Sequence, residues 1–166
     1  MEISYSDSLY ESWKKYGNGL TWETWIKRQE KLVFLQLKEV LGLDLELPGK
    51  FVVIPSINLE KNNREERKGG YIVAKFAYDI DTNKRKTKVK KIKRTKIAHT
   101  SRFDMTVSEF ISNIGHEMVH YYDLVHNKRY PLDHGKKFKR IMEKWNKKLG
   151  EYGIKIKDGC TILREL

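Results

Sequence analysis

The chain carries one cysteine, Cys160, in 166 residues. A lone thiol excludes an intramolecular disulfide and any Cys-rich zinc ribbon, and it fits a reducing compartment. Long apolar runs are also missing. Nothing approaches the ~20 residues that a membrane span needs, and Met1-Glu2-Ile3-Ser4-Tyr5 has neither the basic start nor the apolar run of a secretion signal. A soluble, cytoplasmic protein is expected. Internal repeats and low-complexity linkers are absent too, so 166 residues with 39% apolar content predict one domain, large enough to bury a core without disulfide support.

Acidic residues are the remaining shortage. Asp and Glu total 22 against 34 Lys and Arg, a formal net charge of +12. The deficit is concentrated: between Lys84 and Lys96 stand nine cations, Lys84, Arg85, Lys86, Lys88, Lys90, Lys91, Lys93, Arg94 and Lys96, with no acid among them. Val89, Ile92 and Ile97 predict a strand here, from which the cations would project as a comb along a phosphate backbone. DNA or RNA is therefore the expected partner. A solvated edge strand guarded by lysine is the bland explanation, but nine cations exceed what that device needs.

Helical periodicity and its punctuation mark out the elements. Residues 1–20 form a helical extension, with Leu9, Tyr10 and Trp13 at helical spacing before Gly17-Asn18-Gly19. Thr21 can cap a second helix running to about Leu41, with Trp22, Trp25, Ile26, Val33 and Leu37 on its buried side and Gly42 as its stop. Phe51 to Ile54 reads as a strand ended by Pro55, and Asn62 to Gly70 as a mobile loop. Residues 71–100 read as a β-hairpin, Tyr71 to Tyr78 returning through Asp81-Thr82-Asn83 into the basic tract. Asp133 can cap a last helix, in which Phe138, Ile141, Met142, Trp145 and Leu149 oppose a lysine-rich face; Glu151 to Leu166 is a short tail strand or docking segment. The class is α+β, helices packed on a small antiparallel sheet.

Chemistry concentrates between Thr106 and Phe138. Thr106-Val107-Ser108-Glu109 is a capping box and Met105 with Phe110 a hydrophobic staple, so the helix start is well specified. An apolar stripe follows, through Val107, Phe110, Ile111, Ile114, Met118, Val119, Tyr122 and Val125. On another side lie His116 and His120. Four residues apart, they are separated by about 40° around the axis and roughly 6 Å along it, so both rings reach one metal ion, with Glu117 placed to hold a metal-bound water. Gly115 weakens the helix by about 1 kcal/mol relative to Ala, which implies that something packs close to that backbone.

A catalytic zinc takes three protein ligands and keeps a fourth position for water. Two histidines compete for the third place. His126 falls one residue short of the metzincin pattern, which has Gly where Asp123 stands; with the helix continuing, it lies about 240° around from His120 and points away. His134 lies beyond a loop long enough to fold back, with Gly135 beside it. Asp123 and Asn113 are candidates to orient a ligand histidine, and Tyr121, Tyr122 and Tyr130 to support an oxyanion.

His116-Glu117-Met118-Val119-His120, the following loop and His134-Gly135-Lys136-Lys137-Phe138 together resemble the SprT-like zinc metalloprotease domain, the family of bacterial SprT and eukaryotic Spartan. The motif match spans about Val107 to Trp145, in a minimal form without the zinc ribbon. The resemblance implies that His116, His120 and His134 bind Zn2+, that Glu117 is the general base, and that residues 106–149 are the metal-binding helices of a single-domain endopeptidase. It further implies a DNA-associated location and DNA-crosslinked or DNA-bound protein substrates, for a chain expected to be monomeric. Two other readings compete: a nucleic-acid-binding module with a structural zinc, and a protease dedicated to one protein target.

Overall fold

The computed structural model describes residues 4–54, 72–159 and 163–166. The expected Pro55 stop, the 62–70 loop, Tyr71 and Cys160 lie outside these. Four helices are described: α1 (Leu9–Tyr16), α2 (Trp22–Leu41), α3 (Val107–Asn127) and α4 (Lys136–Leu149). The strands are β1 (Lys50–Ile54), β2 (Ala74–Thr82), β3 (Val89–Thr100), β4 (Phe103–Asp104) and β5 (Arg164–Glu165).

The class is α+β as expected, but the three-stranded sheet is mixed, not antiparallel. Its order is β1-β3-β2, with β2 antiparallel and β1 parallel to β3. A hairpin announces its own pairing through its turn; β1 meets β3 only in the tertiary structure, so nothing local reports its direction. Because β3 is central from Lys96 onward, Ile97, Ala98, His99 and Thr100 are all buried and the inside-outside alternation disappears. His99 is enclosed but satisfied: its ring donates from Nδ1 to the Thr100 carbonyl (2.8 Å) and its Nε2 accepts from Asn113 (3.1 Å). Burial pushes its pKa down to about 4, so it stays neutral.

The helices cover the sheet and bury α3 from several sides. Side chains of α2 (Ile26, Phe34, Leu37), α3 (Phe110, Ile114, Met118) and α4 (Phe138, Leu149) form one cluster with Ile97 and Ile156. The capping box of α3 is present in both directions, Thr106 accepting from Glu109 N–H and Glu109 accepting from Thr106 N–H. The N-terminal extension is clasped onto that same point. Leu9 N–H donates to the Met105 carbonyl (2.7 Å), Val107 N–H to Asp7 (2.9 Å), and Asp104 takes the Ser8 hydroxyl and the Tyr10 N–H.

Glu30, on the buried side of α2, is fully enclosed, and neither carboxyl oxygen has a hydrogen-bond partner among the described residues. Burial raises its pKa to about 10, only weakly opposed by Lys27. The folded chain therefore keeps this carboxyl protonated while the unfolded chain releases the proton above its ordinary value. Stability is lost as pH rises from about 4.5 toward 10, at no more than about 1.4 kcal/mol per pH unit from this group. Urea denaturation of Glu30→Gln should show higher stability than wild type at pH 9 and a difference that shrinks toward pH 5; equal pH slopes would show that Glu30 is not the buried acid described.

Candidate metal centre

Three imidazoles converge. His134 Nε2 lies 3.0 Å from His116 Nε2 and 3.0 Å from His120 Nε2. One ring nitrogen offers a single proton or a single in-plane lone pair, so it cannot satisfy both neighbours by hydrogen bonding. A shared cation resolves the conflict: donors ~2.0–2.1 Å from one tetrahedral ion stand roughly 3.3 Å from each other. His116, His120 and His134 are thus close enough to hold one metal ion, and no other such group occurs among the described residues.

The three histidines arrive by two routes. His116 and His120 come from the i, i+4 spacing of α3, and their ring centroids are 5.1 Å apart. His134 comes from the loop that closes before α4. Here the expected Asp133 cap is corrected: the N-cap of α4 is Gly135, which has no side chain to cap with, and the Asp133 carboxylate instead accepts from Gly135 N–H (3.0 Å). A Cβ on Gly135 would meet that carboxylate at 2.9 Å, so the absence of a side chain lets the loop tighten beside the ligand. Phe138, one turn into α4 and fully buried, carries all three rings at centroid distances of 4.8, 4.6 and 4.9 Å.

Burial favours the neutral form of the two helical rings. Burial pushes the His120 pKa down to about 3, with repulsion from His116 and His134 adding to it, and burial likewise lowers His116. Neutral imidazoles present the lone pairs that a metal needs. His116 is oriented from behind, donating Nδ1–H to the Lys157 carbonyl (3.1 Å). That carbonyl belongs to the tail, which α3 admits through the notch at Gly115: a Cβ there would meet Ile156 side-chain atoms at 2.7 and 2.8 Å. Asn146 brackets Ile156 by two backbone bonds, and Ser112 accepts from Lys157 N–H. The close packing expected at Gly115 is therefore the tail, and the tail is what orients His116.

Glu117 lies between His116 and His120 in sequence, almost fully buried. Burial raises its pKa to about 7, while the Phe76 backbone N–H, donated from β2 to the carboxylate, pulls it back. The carboxyl thus sits near the pH at which it can both take and give a proton.

Other expected residues are placed elsewhere. His126 points away as the spacing implied, its Nε2 2.9 Å from the Asp44 carbonyl and its ring against Tyr122. Asn113 serves His99, and Asp123 accepts from Asn127. Tyr121 stacks on Phe76 and accepts from the Thr95 side chain, while Tyr122 packs edge-on to Trp145. Tyr130 stands edge-on to Tyr78, in the loop that leads to His134.

The basic tract is not a single comb. Lys84, Arg85 and Lys86 form the β2–β3 turn, and the strand begins at Val89. Two register shifts against β2 put one extra residue in β3 each time, so Val89, Ile92 and Thr95 turn inward at intervals of three while the lysines between them stay outside. On the strand, β2 supplies acids. Asp81 is opposite Lys91 and bonds Lys93 at 3.0 Å, and Asp79 is opposite Arg94. The turn has no such partners in its own hairpin.

The chain matches no protein-family model, no curated protein and no solved structure. Among the described residues no helix is long and apolar enough to cross a membrane.

Alanine at His116, His120 or His134 should each reduce bound metal from about one ion per chain to near zero, whereas His126→Ala should keep it. Metal stoichiometry of the purified variants decides; retention by His134→Ala with loss by His126→Ala would reverse the ligand set.

Proposed function

We propose that the chain is a zinc-dependent endopeptidase of SprT-like type acting on DNA-associated or DNA-crosslinked proteins. The observation that carries this reading is the convergence of three imidazole nitrogens, from His116, His120 and His134, at a helix that also carries a buried carboxyl, Glu117, whose pKa is about 7. Three nitrogen donors favour zinc over the oxygen-seeking divalent ions. His116 and His120 are only half-buried and His134 is exposed, and no fourth protein ligand stands with them among the described residues. An open position of that kind suits catalysis better than a closed structural site, which weighs against a nucleic-acid module with a structural zinc.

Zinc held there would acidify a water toward neutral pH and polarise a peptide carbonyl. The remaining work falls to the chain. His116, His120 and His134 would hold the ion, and the Lys157 carbonyl keeps the His116 tautomer fixed. Glu117 accepts the proton of the attacking water and returns it to the leaving amine. Phe138 excludes solvent from the inner side of the rings.

Support for nucleic acid as a partner is the distribution of charge. Eight of the nine cations between Lys84 and Lys96 are exposed, Lys96 being half-buried, and α4 adds exposed Lys136, Lys137, Lys139, Arg140, Lys144, Lys147 and Lys148. Protein substrates bound to DNA would be brought near the site by the same charges.

Glu117→Gln should bind metal and unfold near the wild-type temperature while peptide-bond cleavage falls by roughly 10²–10⁴-fold. Undiminished cleavage would remove Glu117 from the role of base. For the nucleic-acid surface, about five phosphate contacts predict a slope of log affinity against log salt near −3.5 on single strands and −4.5 on duplex. A slope near zero would return the basic tract to ordinary solvated surface.

A further inference from the structure

The β2–β3 turn does more than display cations. Its backbone forms a short antiparallel ladder with the loop between α3 and α4. Val89 N–H donates to the Lys128 carbonyl (2.8 Å), Tyr130 N–H donates to the Thr87 carbonyl (3.1 Å), and Lys88 stands opposite Arg129 in a bridge. Further along, the Tyr78 hydroxyl oxygen accepts from Leu132 N–H and the Tyr78 and Tyr130 rings meet edge-on. Two residues beyond Leu132 is His134. The hairpin therefore holds the loop that delivers the third ligand.

The ladder joins two basic segments into one surface: Lys84, Arg85, Lys86 and Lys88 from the turn, Lys128 and Arg129 from the loop. Among the described residues, the ion pair of this group is the one between Arg129 and Asp133, at 3.4 Å. Like charges placed opposite each other across strands destabilise the pairing, so Lys88 against Arg129 works to open the ladder. Arg129 Nε is buried without a hydrogen-bond partner among the described residues. Lys86 (φ 53°) and Lys128 (φ 50°) occupy left-handed backbone where glycine or asparagine sits more easily, at roughly 1 kcal/mol each. Cations are held there at a conformational and electrostatic cost that a bound polyanion would offset.

We propose that this composite surface is the nucleic-acid contact that communicates with the metal centre: phosphates bridging turn and loop relieve the repulsion, tighten the ladder and hold His134 against His116 and His120. The inference rests on the metal and nucleic-acid readings above and adds the coupling between them. Coupling of this kind is reciprocal, so zinc must tighten nucleic-acid binding by the same factor that nucleic acid tightens zinc.

The test reads binding alone. After zinc stoichiometry is confirmed, anisotropy of a fluorescein-labelled 20-nucleotide single strand is titrated with metal-free and zinc-loaded full chain at one fixed salt concentration. Zinc should tighten binding about 5–10-fold in wild type, and His134→Ala should bind at the metal-free level with or without zinc. Replacing Lys84, Arg85, Lys86 and Lys88 together by Gln should weaken binding by at least about tenfold and erase the zinc effect while the variant still takes up one zinc. Lys128→Gln with Arg129→Gln should do the same from the other side of the ladder. Equal affinity with and without zinc overturns the coupling and leaves the nucleic-acid reading standing. Unchanged affinity in both charge variants overturns the placement of the surface. A wild-type chain that takes up no zinc overturns the metal reading on which the inference rests.

Discussion

Three imidazole rings with centroids about 5 Å apart have little reason to stay together, since each prefers water and the His134 Nε2 cannot hydrogen-bond both of the others at once. In this chain they are kept together by Phe138. Its fully buried ring touches all three, and it is itself fixed in the cluster shared by α2, α3 and α4. The other features follow from that constraint. Gly135 leaves the loop free to tighten one turn before Phe138, Gly115 opens the notch that admits Ile156, and the Lys157 carbonyl turns His116 to face the others. A chemical site is built here by packing first and by polar contacts second.

Electrostatics divide the molecule into two regimes. Inside, burial outweighs the opposing contacts, keeps His99, His120 and Glu30 neutral and brings Glu117 to the middle of the pH scale. Outside, an excess of cations is partly answered on the hairpin by Asp79 and Asp81 and scarcely answered at its turn. A polyanion approaching the hairpin would meet the uncompensated end first, and that end is joined by backbone hydrogen bonds to the loop of His134.

What was legible in the sequence was local. The capping box, the Gly115 notch, the shared face of His116 and His120 and the outward turn of His126 depend on spacings within one helix, and each stands in the structure where its spacing put it. Side-chain identity carries such information. Backbone partners do not announce themselves: the Lys157 carbonyl, the Phe76 N–H that reaches Glu117 and the ladder from Thr87 to Tyr130 could have been supplied by almost any residue. The parallel direction of β1 and the two shifts that break the cationic comb are likewise products of tertiary pairing, to which a run of lysines and valines is indifferent. Asp133 shows the same limit on a small scale. It looked like a cap and became a brace for the loop, because Gly135 two residues later could take the helix start.

The clasp at the start of α3 bears on the order in which the chain assembles. The stretch from Phe103 to Thr106 pairs with Ser8 and accepts bonds from Ser8 and Tyr10 on one side, and pairs with Arg164 and Glu165 on the other. The segments around Ser8 and around Arg164 thus meet at one short span between them, across sequence separations of 94 and 96 residues in the case of Asp104 with Tyr10 and Ser8. Contacts so distant in sequence close large loops and form slowly compared with the helices themselves. The start of the histidine-bearing helix is therefore finished late, after the segments around Ser8 and Arg164 have both docked on it.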